Sequence, residues 1–410
     1  MKPINVFFVI TLLFSITACS KSKNDPIQEP TQIHLSEKAA GVITKSNQFG
    51  IQLFKAVALD DQETNLMISP LSASVALTIL LNGCDAETYN QIRDMLGFDG
   101  LSTNEINTAY NSLVQQLLAA DPSTQLALAN AVWYRNNYSF HKSYLQSMQT
   151  NFDAHIEALD FESPMAPQKI NQWASDNTHG KITHVIDQIP EDAVMFLMNA
   201  LYFKGSWIEK FKTENTHNSH FTLDNSSVIN IPTMHGSIPA KGIYSDDFKA
   251  IELFYGRKNF SMIIVVPNAG LNAFIQSATP ETWDSITTAM DEEIIQTDID
   301  VSLPKFTFAY EKQLNDQLKT LGMTDAFEPM LANLSKISDE SLFVSFVKQD
   351  TFVEVNEEGT EAAAVTTIGV TLTSVGDIPP QFIIDKPFVF AIREQTTNTL
   401  LFIGQVVNPE

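Results

Sequence analysis

The chain has 410 residues, of which 44% are hydrophobic, and its 48 acidic and 25 basic side chains give a formal net charge of −23. So acidic a surface repels nucleic acid and anionic lipid head groups, and no basic run offsets it. We therefore expect no nucleic-acid partner, and contact with a membrane through a lipid anchor only. The length allows a large core, and no internal Pro/Gly/Ser-rich linker divides the chain, so one large domain and several smaller ones both stay open.

The N-terminus has the pattern of a secreted bacterial lipoprotein. Lys2 precedes an apolar run over residues 4–16, which is too short to span a bilayer. The four residues Ile16-Thr17-Ala18-Cys19 resemble a lipobox. This resemblance implies cleavage before Cys19 and attachment of a diacylglyceryl group to its thiol. The alternative is an ordinary secretory signal in which Cys19 is incidental.

These features divide the chain into a signal peptide (1–18), a lipidated Cys19 with a tether (19–35) and a folded part (36–410). The tether is polar and contains two prolines. The folded part then holds a single cysteine, Cys84, and no disulfide, so core burial has to stabilise it. We expect attachment to the cell envelope, in the outer membrane or at the cell surface, facing the periplasm or the exterior.

Six segments carry helix signals. At 36–59, Ser36 is a suitable N-cap and the apolar residues recur on one helical face. At 65–83, Ser69 can cap and Gly83 can end a helix that is apolar nearly all round, which predicts a buried helix. Further helices are expected at 104–119, 167–178, 279–290 and 311–321.

Strand-like runs are concentrated in the later part of the chain. Several are apolar on both faces, so at least one sheet is expected to be covered on both sides. Helices and strands do not alternate strictly, which predicts an α+β protein. The runs are 125–134, 193–205, 260–267, 300–310, 388–394 and 400–407.

Signatures of catalysis are scarce, because the sequence has no G-x-S-x-G elbow, no Gly-rich phosphate loop and no H-E-x-x-H motif. His217 and His220 lie three residues apart in a polar stretch without a third ligand, which favours a solvated loop over a metal site. Cys84 follows Gly83 with no histidine beside it, which favours a buried small hydrophobe over a nucleophile. We therefore expect no enzyme activity, cofactor or metal.

Six separated segments resemble the serpin family, and they occur in the family's order. The resemblance extends over nearly everything after residue 36, and similarity by chance at six segments is not a credible explanation. The segments are NLMISPLSASVALTILLNG (65–83), INQWASDNTHGKI (170–182), NALYFKGSWIEKF (199–211), LPKF (303–306), FVEVNEEGTEAAA (352–364) and FIIDKPFVFAIREQTTNTLLFIGQVVNP (382–409).

The resemblance implies three β-sheets, about eight or nine helices and an exposed reactive-centre loop. It also implies a monomeric inhibitor of endopeptidases that acts as a suicide substrate. The protease cleaves the loop and forms an acyl-enzyme, and the loop then inserts into the central sheet and traps the protease. The alternative is a non-inhibitory binding protein of the same fold that is cleaved as a plain substrate.

On this mapping, the loop is EEGTEAAAVTTIGVTLTSVGDIPP (357–380). An inserting strand has to donate ladder hydrogen bonds, and proline is absent from Gly359 through Asp377. With a period of two from Thr360, the acid Glu361 falls on the face opposite to the inserting residues. The inserting residues are Thr360, Ala362, Ala364, Thr366, Ile368 and Val370, and the resemblance assigns the hinge to Glu357, Glu358, Gly359, Thr360, Glu361, Ala362, Ala363 and Ala364.

The reactive bond can be placed in two ways. Counting forward from the first hinge glutamate, as in inhibitory members of the family, gives Thr373-Ser374. Counting back from the proline pair that closes the loop gives a position nearer Gly376, and Leu372 and Val375 stay open as alternatives. None of these residues is Arg or Lys, so we expect an elastase-like or subtilisin-like target, with papain-like cysteine proteases as further candidates.

The resemblance assigns five more residues to the region where the central sheet opens. Ser69, Ser72 and Asn199 match a polar cluster beneath the parting strands, and Trp207 matches an aromatic residue at the point of first insertion. Gln349 stands where the animal pattern has histidine. Glutamine donates and accepts as a neutral histidine does, so we expect the hydrogen-bond network to persist without pH sensitivity. The alternative for all five residues is ordinary satisfaction of a polar core.

Overall fold

The computed structural model of the protein describes residues 30–360 and 380–410. The predicted signal peptide and Cys19 lie outside these ranges and stay predictions. Nine α-helices lie within the described residues: α1 (Glu37–Asp60), α2 (Pro70–Leu81), α3 (Ala86–Met95), α4 (Thr103–Ala120), α5 (Lys142–Phe152), α6 (Met165–Asn177), α7 (Leu271–Ser277), α8 (Pro280–Glu292) and α9 (Asn315–Thr320).

Local signals place most of these helices where the sequence predicts them. Ser36 caps α1, because its side chain accepts a hydrogen bond from the Ala39 N–H. Helix α2 begins at Pro70 and is buried along its whole length, as its apolar sequence indicates. The helix predicted at 311–321 is wrong in its first part, because residues 311–313 continue a strand and only α9 is helical.

The described residues form fifteen strands: β1 (Leu66–Ile68), β2 (Gln125–Arg135), β3 (His155–Leu159), β4 (Met195–Ser206), β5 (His217–Thr222), β6 (Val228–Tyr244), β7 (Phe248–Tyr255), β8 (Phe260–Pro267), β9 (Gln296–Pro304), β10 (Phe306–Gln313), β11 (Val344–Asn356), β12 (Gly359–Thr360), β13 (Gln381–Ile383), β14 (Phe388–Glu394) and β15 (Thr399–Val406).

These strands pair into two hydrogen-bonded sheets. The larger has the order β1-β15-β14-β8-β7-β6-β9-β13, with β5 added beside β6, and the central sheet has the order β10-β11-β12-β4-β2-β3. The long strand β6 pairs with β5 and β9 along most of its length and with β7 at its end. Two of the three sheets that the resemblance implies are therefore continuous through β6. The single strand predicted at 300–310 is wrong, because β9 ends at Pro304 in the larger sheet and β10 begins at Phe306 in the central sheet, with Lys305 between them.

Helix α2 lies between the two sheets and contacts β4 on one side and β15 on the other. Its fully buried apolar residues therefore fill the centre of the main core. The N-terminus of α2 lies directly beneath the central sheet. Within the described residues, no helix combines the length and apolar character needed to cross a membrane. The predicted α+β class is confirmed.

Candidate functional site

The central sheet divides between two strands. Strands β4 and β11 pair in parallel from Met195 and Val344 up to Asn199 and Gln349. Further along, the short strand β12 lies between them and pairs antiparallel with both. We call the point at Asn199 and Gln349, where the described β4–β11 pairing ends, the fork.

Gln349 ties the fork to helix α2. Its Oε1 accepts a hydrogen bond of 3.0 Å from the Ser69 N–H, and its Nε2 donates one of 2.8 Å to the Ser69 carbonyl. Ser69 in turn caps α2, because its Oγ accepts a hydrogen bond from the Ser72 N–H. The neutral amide thus both donates and accepts, as the sequence predicts, and it holds β11 against the helix beneath the sheet.

Two polar side-chain atoms beneath the fork have no hydrogen-bond partner within residues 30–360 and 380–410. Asn199 donates through Nδ2 to Asn130, but its Oδ1 and the Ser72 Oγ have no hydrogen-bond partner among the described residues. Asn199 is 7% exposed and Ser72 is 1% exposed. An unsatisfied buried polar atom costs about 1–3 kcal/mol, so this part of the described fold leaves hydrogen-bonding capacity unused.

The start of the hinge pairs with both β11 and β4 through Gly359 and Thr360. Gly359 has a φ of +148°, and a Cβ there would lie 2.0 Å from the Gly205 carbonyl oxygen, so only glycine fits. Thr360 is buried, and its Oγ1 lies 2.6 Å from the Tyr255 hydroxyl. The Trp207 ring stacks on Tyr255 at 4.4 Å, and its indole N–H donates to the Asn356 carbonyl. The backbone N–H of Trp207 donates to the Glu358 carbonyl. This aromatic pair fixes the first residues that enter the sheet.

The first two glutamates of the hinge, Glu357 and Glu358, are held by cations. A lysine, Lys305, lies 2.8 Å from the Glu357 carboxylate, and Thr216 donates a hydrogen bond of 2.7 Å to the same group. Burial opposes ionisation of Glu357, but the hydrogen bonds from Lys305 and Thr216 outweigh it and hold the pKa of this carboxyl below its usual range. Glu358 forms an ion pair with Lys210. Two ion pairs therefore hold Glu357 and Glu358 in place directly before the chain enters the central sheet at β12.

The structure thus brings the predicted residues together in two groups. Ser69, Ser72, Asn199 and Gln349 meet at the fork, and Trp207 meets the start of the hinge. The other predicted residues lie outside the described residues; they are Cys19, Glu361, Ala362, Ala363, Ala364, Leu372, Thr373, Ser374, Val375 and Gly376.

Sequence reasoning missed three residues that complete these groups. Asn130 receives the Asn199 hydrogen bond, and it could have been noticed as the one amide inside the apolar run of β2. Tyr255 carries no such signal, because it reaches the hinge from another sheet. Lys305 stands in the LPKF segment, but its contact with the hinge, from the break between two strands, could not be read from the sequence.

Strand pairing and burial decide the roles of three weaker candidates from the sequence, His217, His220 and Cys84. The expected solvated loop around His217 and His220 is wrong, because both residues belong to β5, where His217 stacks on His235 at 4.0 Å. No cluster of three or more potential metal ligands occurs in the described ranges. Cys84 is fully buried, and burial raises the pKa of its thiol, which suits a core residue and not a nucleophile.

Comparison with known proteins agrees with this geometry. The family model for Serpin (serine protease inhibitor) matches residues 44–409. The chain is similar to human neuroserpin, with 31% identity over 88% of this chain and 90% of the relative. It is also similar to the leukocyte elastase inhibitor of Sus scrofa, with 33% identity over 89% and 98%.

A solved structure of tengpin, a thermophilic serpin in the native state, superimposes with a TM-score of 0.83 at 30% identity, covering 92% of this chain and 96% of that chain. The chain belongs to the serpin family, and the predicted serpin-like fold is confirmed. Serpins are a family of serine protease inhibitors, so the chain belongs to a family of protease inhibitors.

Proposed function

We propose that this serpin inhibits endopeptidases of the serine class as a suicide substrate. The catalytic serine of the protease attacks the carbonyl carbon of the reactive bond, an ester forms, and the amine of the following residue leaves with a proton. The freed N-terminal part of the loop then inserts between β4 and β11. Because the protease is still bound through the ester, it is carried with the loop and trapped before water hydrolyses the ester.

The position of β12 is the observation that carries this proposal. Thr360 pairs with Val355 of β11 and with Gly205 of β4, so the loop starts in the slot that a new strand would fill. If this register continues for six residues, the loop reaches the fork, because Gln349 lies six residues before Val355 and Asn199 lies six residues before Gly205.

On this register the residue that reaches the fork is Thr366, six residues after Thr360. The two residues share a face of the strand because side chains alternate with a period of two. The Thr366 hydroxyl would then point to the side where Asn199 Oδ1 and Ser72 Oγ are unsatisfied. Insertion would thus supply partners to buried atoms as well as two ladders of backbone hydrogen bonds, which makes the inserted state the more stable one.

The composition of the loop supports the class of target. The candidate reactive bonds, Thr373-Ser374 first and then those at Leu372, Val375 and Gly376, present small or apolar residues and no basic residue. This favours elastase-like or subtilisin-like serine proteases, with papain-like cysteine proteases as further candidates. The similarity to a leukocyte elastase inhibitor supports the same class.

A gel experiment tests the mechanism. Incubation with an elastase-like or subtilisin-like protease should give a complex that resists SDS, and mass spectrometry of the released peptide should identify the reactive bond. Thr360→Arg should convert the inhibitor into a substrate, because position 360 is buried, whereas Glu361→Arg is the matched control on the opposite face. Cleavage without complex formation by every protease tried would instead support the non-inhibitory binding protein.

We also propose that the inhibitor is anchored in the cell envelope by a lipid on Cys19. The lipobox-like sequence Ile16-Thr17-Ala18-Cys19 after a short apolar run supports this proposal. Cys19→Ser should move the protein from the membrane fraction to the soluble fraction. Retention of the variant in the membrane fraction would contradict lipid anchoring.

A further inference from the structure

Residues 31–34, which precede α1, are held against the folded part by two side-chain amides, and we call them the docked segment. The Asn259 amide accepts a hydrogen bond of 2.9 Å from the Thr31 N–H and donates one of 2.8 Å to the Thr31 carbonyl. The Gln116 amide binds the backbone of His34 in the same way, at 2.8 and 3.0 Å. Each amide thus satisfies both backbone groups of one residue, as a neighbouring strand would.

The middle of the docked segment is buried on the same surface. Ile33 is 7% exposed, and its N–H donates a hydrogen bond of 3.1 Å to the Thr396 hydroxyl. That hydroxyl in turn donates to the carboxylate of the fully buried Glu394 at 2.9 Å. Asn259 is also fully buried, and Thr31 supplies partners for its amide. The chain is therefore fixed to the fold from Thr31 onward.

The docked segment lies at the end of the molecule where the hinge enters the central sheet, which we call the hinge end. Asn259 is followed by Phe260, which pairs with Tyr255 across β7 and β8. The Tyr255 hydroxyl lies 2.6 Å from that of Thr360. Through these links, Thr31 lies no more than about 25 Å from Thr360. The chain therefore leaves the fold close to the first inserted residue.

Helix α1 runs from the hinge end to the level of the fork. In its first half, Asn47 donates a hydrogen bond of 2.7 Å to the Asn398 carbonyl, in the turn between β14 and β15 that also holds the docked segment. Just after its end, Asp61 forms an ion pair of 3.0 Å with Lys312, which pairs with Gln349 at the fork. A strand that inserts from the hinge towards the fork therefore moves away from the docked segment.

Chain length and charge determine which end faces a membrane to which Cys19 is attached. Thr31 is twelve residues after Cys19, and twelve residues span at most about 42 Å. The far end has no such limit, because β11 alone extends about 40 Å from the hinge end to Val344. The net charge of −23 repels anionic head groups, so the rest of the molecule stays away from the lipid.

We propose that the docked segment holds the hinge end of this serpin towards the membrane, and this proposal rests on lipidation of Cys19. The reactive loop is then presented close to the lipid surface, where it meets endopeptidases that attack proteins of the same membrane. Because insertion proceeds towards the fork, a trapped protease is carried away from that surface.

Energy transfer from the protein to a labelled lipid measures this orientation. The lipidated protein is placed in vesicles of phosphatidylcholine and phosphatidylglycerol that contain an acceptor-labelled lipid, and an azidophenylalanine that carries the donor dye replaces either Glu214 or Met330. Glu214 is exposed at the hinge end, two residues before Thr216, which binds Glu357. Met330 is 93% exposed in the segment that leads to the start of β11, at the far end. Transfer should be severalfold higher from position 214.

Equal transfer from the two positions, or higher transfer from position 330, would overturn the proposed orientation. Ile33→Ser combined with Gln116→Ala should reduce the difference between the positions, because it releases the docked segment. The control combines Gln32→Ser with Gln115→Ala, which change the exposed neighbours of these two residues and should leave the difference unchanged. The same difference in both double variants would show that the docked segment does not set the orientation.

Failure of the lipid anchor gives a different result, because the wild type would then not enter the vesicles. Cys19 is in that case coupled to a maleimide lipid, which Cys84 does not disturb because it is buried, and the same comparison tests the orientation. Failure of the trap is also distinct, since the orientation is measured before a protease is added. With a donor-labelled elastase, transfer to lipid should be lower in the SDS-resistant complex than for an elastase without its catalytic serine bound to the intact loop. Equal or higher transfer in the complex would show that the protease is not carried away from the membrane.

Discussion

The hydroxyl groups of Tyr255 and Thr360 lie 2.6 Å apart and are buried, so the first inserted residue of the loop is tied to the larger sheet. Tyr255→Phe should lower the free energy of unfolding by about 1 kcal/mol, because it removes one buried hydrogen bond. The loss should occur in both the intact and the cleaved protein, since Thr360 occupies its place before cleavage.

A double-mutant cycle checks this prediction by thermal and denaturant unfolding. Thr360→Val removes the same hydrogen bond from the other side, so the two substitutions combined should cost clearly less than the sum of their separate effects. Additive effects would mean that the two hydroxyl groups do not stabilise one another.

Gly359→Ala should slow loop insertion. The new Cβ would meet the Gly205 carbonyl oxygen at 2.0 Å, and the positive φ is unfavourable for alanine, so the hinge has to leave its place between β4 and β11. Slower insertion gives the acyl-enzyme time to hydrolyse, so the stoichiometry of inhibition should rise severalfold while the rate of cleavage is retained. Gly41→Ala is the control, because a Cβ at that position meets nothing within 4 Å.

Most of the fold could be predicted from periodicity and caps, because those signals are local. Helix α1 follows from Ser36 and one apolar face, and α2 follows from Pro70 and a continuous apolar sequence. The segment 300–313 could not be predicted in this way. The apolar positions shift within it, from Val301 and Leu303 to Phe306, Phe308 and Tyr310, but only the pairing of β9 and β10 with different sheets shows that two strands separate there.

In the candidate site, too, the sequence predicts which residues take part but not which of them are in contact. Ser69 and Asn199 could be found because they stand in segments that resemble the family, and Gln349 because it lies three residues before another such segment. Their contacts could not, since the hydrogen bonds from Gln349 to Ser69 and from Asn199 to Asn130 join residues that are far apart in the chain. Such hydrogen bonds depend on tertiary packing, which cannot be predicted from the local pattern of a single sequence.

Thr366→Val should selectively weaken the cleaved protein. Valine keeps the branched shape and removes the hydroxyl, so Asn199 Oδ1 would stay unsatisfied after insertion. We expect the cleaved form to lose about 1–3 kcal/mol and the intact form to be unchanged. Thr367→Val, on the opposite face of the inserted strand, is the matched control. Equal losses for the two variants in unfolding of the cleaved protein would contradict the register derived from β12.

Asp350, the residue after Gln349, should make stability depend on pH. Burial raises the pKa of Asp350 to about 6, although Lys348 at 3.1 Å opposes the rise. The folded state therefore binds this proton more tightly than the unfolded state, whose value is 3.8, so stability falls as pH rises between these values and stays lower above 6. Asp350→Asn should raise the free energy of unfolding by at most about 3 kcal/mol at pH 7.5.

At pH 4 the same substitution should have little effect, because Asp350 is then largely protonated in the folded protein. Denaturant unfolding at the two pH values measures the difference, with the exposed Asp246→Asn as the control. A gain of the same size at both pH values would show that the amide acts by packing and not by removing a buried charge. A loss at pH 7.5 would mean that the ion pair with Lys348 outweighs the burial of the carboxylate, contrary to the raised pKa.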